Sequence, residues 1–537
     1  MAQQDIAVLD GTTFMVSDAA GDVLPGSGHG FFHADTRFLS GFTVLLNGHR
    51  LHPLSSGNLD QRSATFYTTN ETTPGLAPHT LTLIRERSLN GGLHERLVLV
   101  NYGQQVADVT LTVDLAADFA DIFQARSGSV RKAGTIEVEG GPEAVRFTYR
   151  RRHFVRQAVV YFDPLPHVSG SRATYALQLA PQESRTLDVH VLPVLGDTCP
   201  PQPWGASLER PDATSPPNAS GIRSMEGSCP DLSTSDLGLA LAYRRAVSDL
   251  VALRLRINDE QELPAAGLPW YMAIFGRDSI ITALETLLLG PGLAVGTLRT
   301  LAAYQGRQVD PFRDEEPGKI PHEIREGELS SLEELPHTRY YGTVDATPLW
   351  LVLLSETHRW TGDLELVREL LPAAEAALAW IDHYGDLDGD GFVEYLGRSP
   401  RGLTHQGWKD SADPVRFADG TLAEPPIALC EVQGYVYDAK LRMAELYEAL
   451  GHRRRARELR QAAAALRRRF HEAFWLPDHQ YIALALDGHK RPVDAIASNA
   501  GHCLWSGILE PEAAAAVARR LLSPELFSGW GIRTLSS

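Results

Sequence analysis

The hydrophobic period changes once along this chain, near residue 235, and that change constrains the fold more than any other feature. Before it, apolar and polar residues alternate over short runs; after it, apolar residues recur every three or four positions. Alternation suits a half-buried strand, and the longer period suits a helix with one buried face. A chain of 537 residues exceeds what one core usually organises, so the change reads as a passage between domains.

In residues 1–195 the alternating runs are FTVLLNGHRL (42–51), LTLIRERSL (81–89), HERLVLVNYG (94–103), DVTLTVDLAADF (108–119) and AVRFTYRRR (144–152). Asn47-Gly48, Asn90-Gly91 and Gly140-Gly141 supply turn chemistry. Many short strands without intervening helices predict an antiparallel β-sandwich. Residues 196–234 are dense in Pro and Ser and read as a linker or surface strap.

Residues 235–537 read as consecutive helices, over about 235–253, 278–289, 292–304, 343–361, 364–384, 431–450, 453–474, 494–507 and 511–522. In the first, Leu237, Leu239, Leu241, Ala242, Val247, Leu250, Val251 and Leu253 are assigned to an apolar stripe. In the basic segment 453–470, Leu459, Ala463, Leu466 and Phe470 share one face, so its arginines read as a solvated surface. Consecutive helices form either a barrel or a solenoid. No repeat is visible, and the loops 305–342 and 385–430 are long and rich in Gly, Pro, Trp, His and acids, which favours an α/α barrel with functional loops.

The formal charge of −17 argues against nucleic acid or anionic membrane as partners, because both would be repelled. A neutral ligand meets no such penalty. The cysteines Cys199, Cys229, Cys430 and Cys503 form no CxxC pair, and so few in so long a chain suit a reducing cytoplasm. Cys199 and Cys229 either pair or are free thiols in the linker. The N-terminus MAQQDIAVLDGTTF has neither basic n-region nor apolar h-region, and no run is long and apolar enough to span a bilayer.

Four loop segments group carboxylates, aromatics and rigid polar side chains. The first runs from Trp270 through Phe275 to Arg277, Asp278 and Ser279, where Asp278 either caps a helix or, with Arg277, faces a ligand. The second holds His322 and Glu323, then Tyr341 and Asp345; the alternatives are a solvated acidic loop and an N-cap near Thr343 or Asp345. The third holds Gly407, Trp408, Lys409 and Asp410, followed by Glu431, Gln433 and Tyr435; Trp408 would partly desolvate Asp410, and Lys409 is expected to turn away from it. The fourth holds Asn499 and His502, which read equally as a helix start with a satisfied histidine. A further loop places Asp386, Asp388 and Asp390 at alternate positions, with Gly391 sixth and Glu394 beyond. That matches the opening of a calcium loop, although the last acidic position of an EF-hand is Gly397 here. The alternative is an Asp/Gly-rich turn between helices.

Taken in order, His33-Ala34-Asp35-Thr36-Arg37-Phe38-Leu39-Ser40, Asp118-Phe119-Ala120-Asp121-Ile122-Phe123, Phe275-Gly276-Arg277-Asp278-Ser279, Gly407-Trp408-Lys409-Asp410-Ser411 and Ser498-Asn499-Ala500-Gly501-His502 resemble the bacterial glycogen-debranching, amylo-α-1,6-glucosidase family within the inverting (α/α)6-barrel glycosidases. The resemblance implies an N-terminal β-sandwich followed by an (α/α)6 barrel. It implies hydrolysis of α-1,6 glucosidic branches in an α-glucan or oligosaccharide, with inversion and no organic cofactor. Asp410 would be the general acid and Glu431 a second carboxylate. Arg277 and Asp278 would bind the terminal glucose, with Trp270, Phe275, His322, Glu323, Tyr341, Asp345, Trp408, Lys409, Gln433, Tyr435, Asn499 and His502 around it. Apart from the resemblance, the acidic spacing makes Asp386, Asp388, Asp390 and Glu394 the candidate Ca²⁺ ligands.

Members of the family continue beyond the Trp530-Gly531-Ile532-Arg533-Thr534 stretch into further barrel helices and the expected catalytic base, so the resemblance implies a barrel lacking its last helices. Two other readings stand beside the first: another α-glucosidic specificity on the same barrel, or a non-catalytic carbohydrate-binding remnant.

Overall fold

The computed structural model describes residues 5–73, 76–198, 229–258 and 261–536. The chain divides into two compact units. One comprises residues 1–255, 267–273 and 325–334; the other comprises 256–266, 274–324 and 335–537. Most of the expected linker, with Cys199, lies outside the described residues.

The first unit is the antiparallel β-sandwich. Its largest sheet has eight strands, ordered Thr135–Gly140, Ala144–Arg151, Phe154–Asp163, Ser184–Leu195, Leu93–Asn101, Leu81–Leu89, Ser63–Thr69 and His52–Asn58. A five-stranded sheet built on Gly41–Leu46, Ala107–Ala116 and Arg172–Leu179 and a four-stranded sheet over residues 6–39 complete it. The Leu93–Asn101 strand buries every second residue, as its alternation requires. Asp35 and Asp121, both within the motifs quoted above, hold the segment 325–334 of the same unit. Asp35 accepts from the Arg325 guanidinium at 2.8 Å and the Glu326 amide at 2.9 Å, and Asp121 accepts from the Leu329 amide at 2.9 Å.

The helix Leu237–Ala252 also belongs to this unit, rather than to the helical half in which the periodicity placed it. Only Val247 and Val251 are buried in it; Leu237, Leu239 and Leu241 are exposed. Those three leucines are spaced by two, and a helix cannot put three such positions on one face.

The second unit is helical. Its helices are Arg277–Glu285, Gly292–Ala303, Ala346–Thr361, Leu364–His383, Cys430–Ala449, Arg453–Phe474, Ala500–Ser506 and Pro511–Leu521. The stripe expected on the basic helix is buried at Leu459, Ala463, Leu466 and Phe470. Each such large side chain contributes about 1.5–3 kcal/mol on burial, which fixes the helix face despite its arginines. Residues 494–499, expected to be helical, instead form an irregular approach to Ala500–Ser506.

Candidate functional site

Four helix N-termini of the second unit carry Arg277, Asp345, Glu431 and Asn499, and none is capped by its own side chain. The N-cap positions are Gly276, Asp345, Leu429 and Asn499. Elsewhere in the unit Asp363 caps its helix by accepting from the amides of Glu365 and Leu366, whereas the N-cap positions Pro291, His452 and Glu510 make no such bond. The expectation that Asp278 caps its helix is corrected, because the helix begins one residue earlier. Gly276 donates its amide to the His322 carbonyl at 2.8 Å, and a Cβ there would stand 2.0 Å from the Pro321 carbonyl oxygen. Only glycine allows that approach, and it sets Arg277 at the first helical position.

Arg277 reaches across to two carboxylates distant in sequence. It donates to Asp345 Oδ2 at 3.1 Å and to Asp410 Oδ2 at 3.3 Å. Burial opposes its charge, but Asp345, Asp278 and Asp410 outweigh that and hold it cationic. Asp345 sits at an N-cap yet makes no capping bond; its carboxylate accepts from Arg277 and, at 2.6 Å, from the Thr343 hydroxyl. The Asp345 side chain is 1% exposed and that of Asp410 is 41% exposed, so the desolvation expected from Trp408 is partial.

Glu431, in the first turn of Cys430–Ala449, is buried and accepts from Asn499 Nδ2 at 2.8 Å. Burial is the main cause that pushes its carboxyl up to about 7; the nearby Asp345 adds to the effect, while Asn499 and Lys409 oppose it. Asn499 uses its amide this way instead of capping Ala500–Ser506. Tyr435 is hydrogen-bonded through its hydroxyl to His502 Nδ1 at 2.8 Å, and the His502 ring lies 5.7 Å from that of Trp408. The affinity of the imidazole for a proton is held below its ordinary range by burial.

Three buried polar atoms in this cluster have no hydrogen-bond partner in the structure: Trp408 Nε1, Asn499 Oδ1 and His322 Nδ1. Buried groups of this kind normally find partners, so an unpaired donor and acceptors beside carboxylates suit a hydroxyl-rich ligand. His322 lies edge-on between Phe275 and Tyr340, with ring centroids 5.8 and 5.9 Å away.

Other candidates stand differently. Gln433 spends its whole amide on the backbone: Nε2 donates to Val393 and Leu429 carbonyls at 2.7 and 3.1 Å, and Oε1 accepts from the Val393 amide at 2.9 Å. It is therefore a clamp within the fold rather than a free sugar-binding amide. Tyr341 donates its hydroxyl to the Tyr304 carbonyl at 2.7 Å, and Glu323 pairs with His337 at 2.9 Å. Lys409 does not reach inward to a carboxylate: its ammonium donates to the Thr534 carbonyl at 2.8 Å and lies over the Trp408 ring. Trp270 belongs to the first unit, where its carbonyl accepts from Arg325 at 3.0 Å.

Sequence reasoning missed Asp314. This buried carboxylate accepts from the Arg398 amide at 2.8 Å, the Gln406 side chain at 3.0 Å and the Tyr340 hydroxyl at 3.2 Å, and so anchors the loop leading to Trp408. Its only signal was an acid within a Pro/Gly-rich stretch.

Residues 8–190 match the family described as the N-terminal domain of (some) glycogen debranching enzymes. Residues 271–537 match the mannosylglycerate hydrolase MGH1-like glycoside hydrolase domain. No curated protein sequence matches the chain. Among solved structures, a protein of the human microbiome named as a kojibiose phosphorylase has a TM-score of 0.53 at 8% identity, covering 89% of this chain and 69% of that one. A bacterial glucoamylase complexed with acarbose has a TM-score of 0.50 at 9% identity, covering 93% of this chain and 73% of that one. A rhamnosidase of Bacillus sp. GL1 has a TM-score of 0.43 at 12% identity, and this chain spans 37% of its length. At such identities the likeness is one of fold. The two matched domains place the chain in a glycogen-debranching-like glycosidase family, as an N-terminal domain of debranching-enzyme type joined to an MGH1-like glycoside hydrolase domain.

Proposed function

We propose that the second unit hydrolyses α-1,6 glucosidic branch linkages in glycogen-like α-glucans or oligosaccharides, with inversion. The observation that carries this reading is the cluster of Arg277, Asp345, Glu431 and Asn499 at four helix ends, joined by Asp410 from the loop before Cys430–Ala449. Asp410 is the carboxylate of the cluster most open to a ligand, and in this reading it protonates the leaving oxygen. Arg277 and Asp278 bind the terminal glucose, and Trp408 and Tyr435 line its faces. Glu431 is the second carboxyl. A specific observation also favours exchanged roles: Glu431 is the group that burial keeps protonated near neutral pH, as a general acid requires.

Activity in the cytoplasm fits four cysteines in so long a chain, of which Cys430 and Cys503 are buried free thiols. Among the described residues no helix is long and apolar enough to cross a membrane.

Glucose release from panose, isomaltose, maltose and trehalose tests the linkage. Isomaltose and panose cleaved at the α-1,6 bond, with β-glucose appearing first by NMR, would support the reading. Preferential cleavage of maltose or trehalose would replace it with another specificity, and binding without hydrolysis would make the chain a carbohydrate-binding protein. Comparing Asp410→Asn with Glu431→Gln separates the two assignments of the acid, because an activated leaving group rescues only the variant lacking the proton donor.

A further inference from the structure

The segment Asp386–Glu394 has the acidic spacing of a calcium loop, and its turn is well formed. Asp386 accepts from the amides of Gly389 and Gly391 at 2.8 and 2.9 Å, and Asp390 accepts from that of Phe392 at 2.8 Å. One carboxylate oxygen from each of Asp386, Asp388 and Asp390 lies within 4.8 Å of the other two. A cation is nevertheless already supplied by the chain. The Lys490 ammonium pairs with Asp388 Oδ2 at 2.9 Å, with Asp390 Oδ2 at 2.7 Å and with Glu394 Oε1. Three N–H donors thus meet three carboxylates, which matches the capacity of an ammonium. A calcium ion would need six to eight oxygens in the space this group fills, so the residues present do not fit the ion.

Lys490 is presented rigidly. Its backbone is left-handed, with φ of 58°, and its amide donates to the Asp487 carbonyl at 2.8 Å. A non-glycine residue in that conformation is strained and persists where its surroundings hold it. Here Asp487 fixes the turn by accepting from the amides of His489 and Arg491 at 3.0 and 2.8 Å. Burial opposes the charge on Lys490, but its bonds to Asp390, Glu394 and Asp388 outweigh it and hold the group protonated far above neutral pH.

We propose that Lys490 is a tethered substitute for a metal ion: its ammonium closes the Asp386–Glu394 loop, and the protein requires no calcium there. The closed loop matters beyond itself. Val393, next to Glu394, is gripped through both backbone groups by the Gln433 side chain, and Gln433 lies two residues from Glu431 on the same helix.

Thermal melting of the full chain in calcium chloride and in EGTA tests this. Wild type is expected to melt at the same temperature in both. Lys490→Met leaves three carboxylates facing one another and is expected to lower Tm by about 4 °C or more in EGTA. Millimolar calcium should restore much of that loss, and terbium luminescence should appear in the variant alone. Wild type stabilised by calcium, or Lys490→Met melting like wild type in EGTA, would overturn the proposal. Should Lys490→Met fail to fold, the Asp388→Asn/Asp390→Asn/Lys490→Met variant removes the repulsion and is expected to fold without calcium; calcium dependence of that variant would also overturn it.

Discussion

Glu431→Gln should make the protein more stable, and increasingly so as pH rises. The Glu431 carboxyl is pushed from its ordinary 4.5 up to about 7 by burial. At 1.36 kcal/mol per tenfold change in proton affinity, that is a cost of roughly 3 kcal/mol for holding the ionised group in the fold. Below pH 4.5 both folded and unfolded chains keep the proton, and no cost arises. Between about 4.5 and 7 the unfolded chain has released the proton while the folded one retains it, so stability falls as pH rises. Above about 7 the cost is fully present. Glutamine is neutral throughout and keeps an oxygen for Asn499. The variant should therefore match wild type near pH 4.5 and exceed it by about 6–12 °C in Tm at pH 8, while losing hydrolysis. Differential scanning fluorimetry at pH 5, 6, 7 and 8 measures the gap. A gap that stays constant with pH, or a variant less stable at every pH, would show that Glu431 is not held protonated by burial.

Arg277→Met and Asp410→Asn should differ in stability, since the first breaks both ion pairs of Arg277 and the second only one of them. Arg277→Met leaves Asp345, 1% exposed, without its cation and should cost about 3–5 kcal/mol in chemical denaturation; Asp410→Asn, at an exposed partner, should cost under about 1 kcal/mol. Asp410→Asn is expected to lower kcat by about 10²–10⁴ with circular dichroism unchanged. Gln433→Leu strands the amide and carbonyl of Val393 and should lower stability by about 1–3 kcal/mol per lost bond, with KM affected less than Tm. Gly276→Ala places a Cβ 2.0 Å from the Pro321 carbonyl oxygen and should abolish soluble expression or shift the start of its helix.

The sandwich and the helical half were legible because hydrophobic period is a local property of the chain. The burial of Leu459, Ala463, Leu466 and Phe470 follows from spacing alone. The meeting of Arg277 with Asp410, 133 positions apart, was legible only through the order of motifs and not through any local rule. Gln433 and Lys490 were not legible in their actual roles. One is bound to backbone 40 positions away and the other to acids about 100 positions away, and nothing beside either residue announces its partner.

Asp345 and Asn499 show why local reading and the site diverge. Both occupy N-cap positions, both are residue types that favour capping, and a reading from propensity assigns both to the structure. Neither caps: one carboxylate turns to Arg277 and the other side chain to Glu431. Each forgoes about 1 kcal/mol of helix stabilisation in doing so. The amides of the first helical turns are left unclaimed by those side chains, and the helix ends keep their positive potential beside carboxylates. A fold selected for stability alone would have spent these side chains locally, as Asp363 does. Asp345 and Asn499, good capping residues that do not cap, therefore mark the candidate site, and they stand out only once their long-range partners are known.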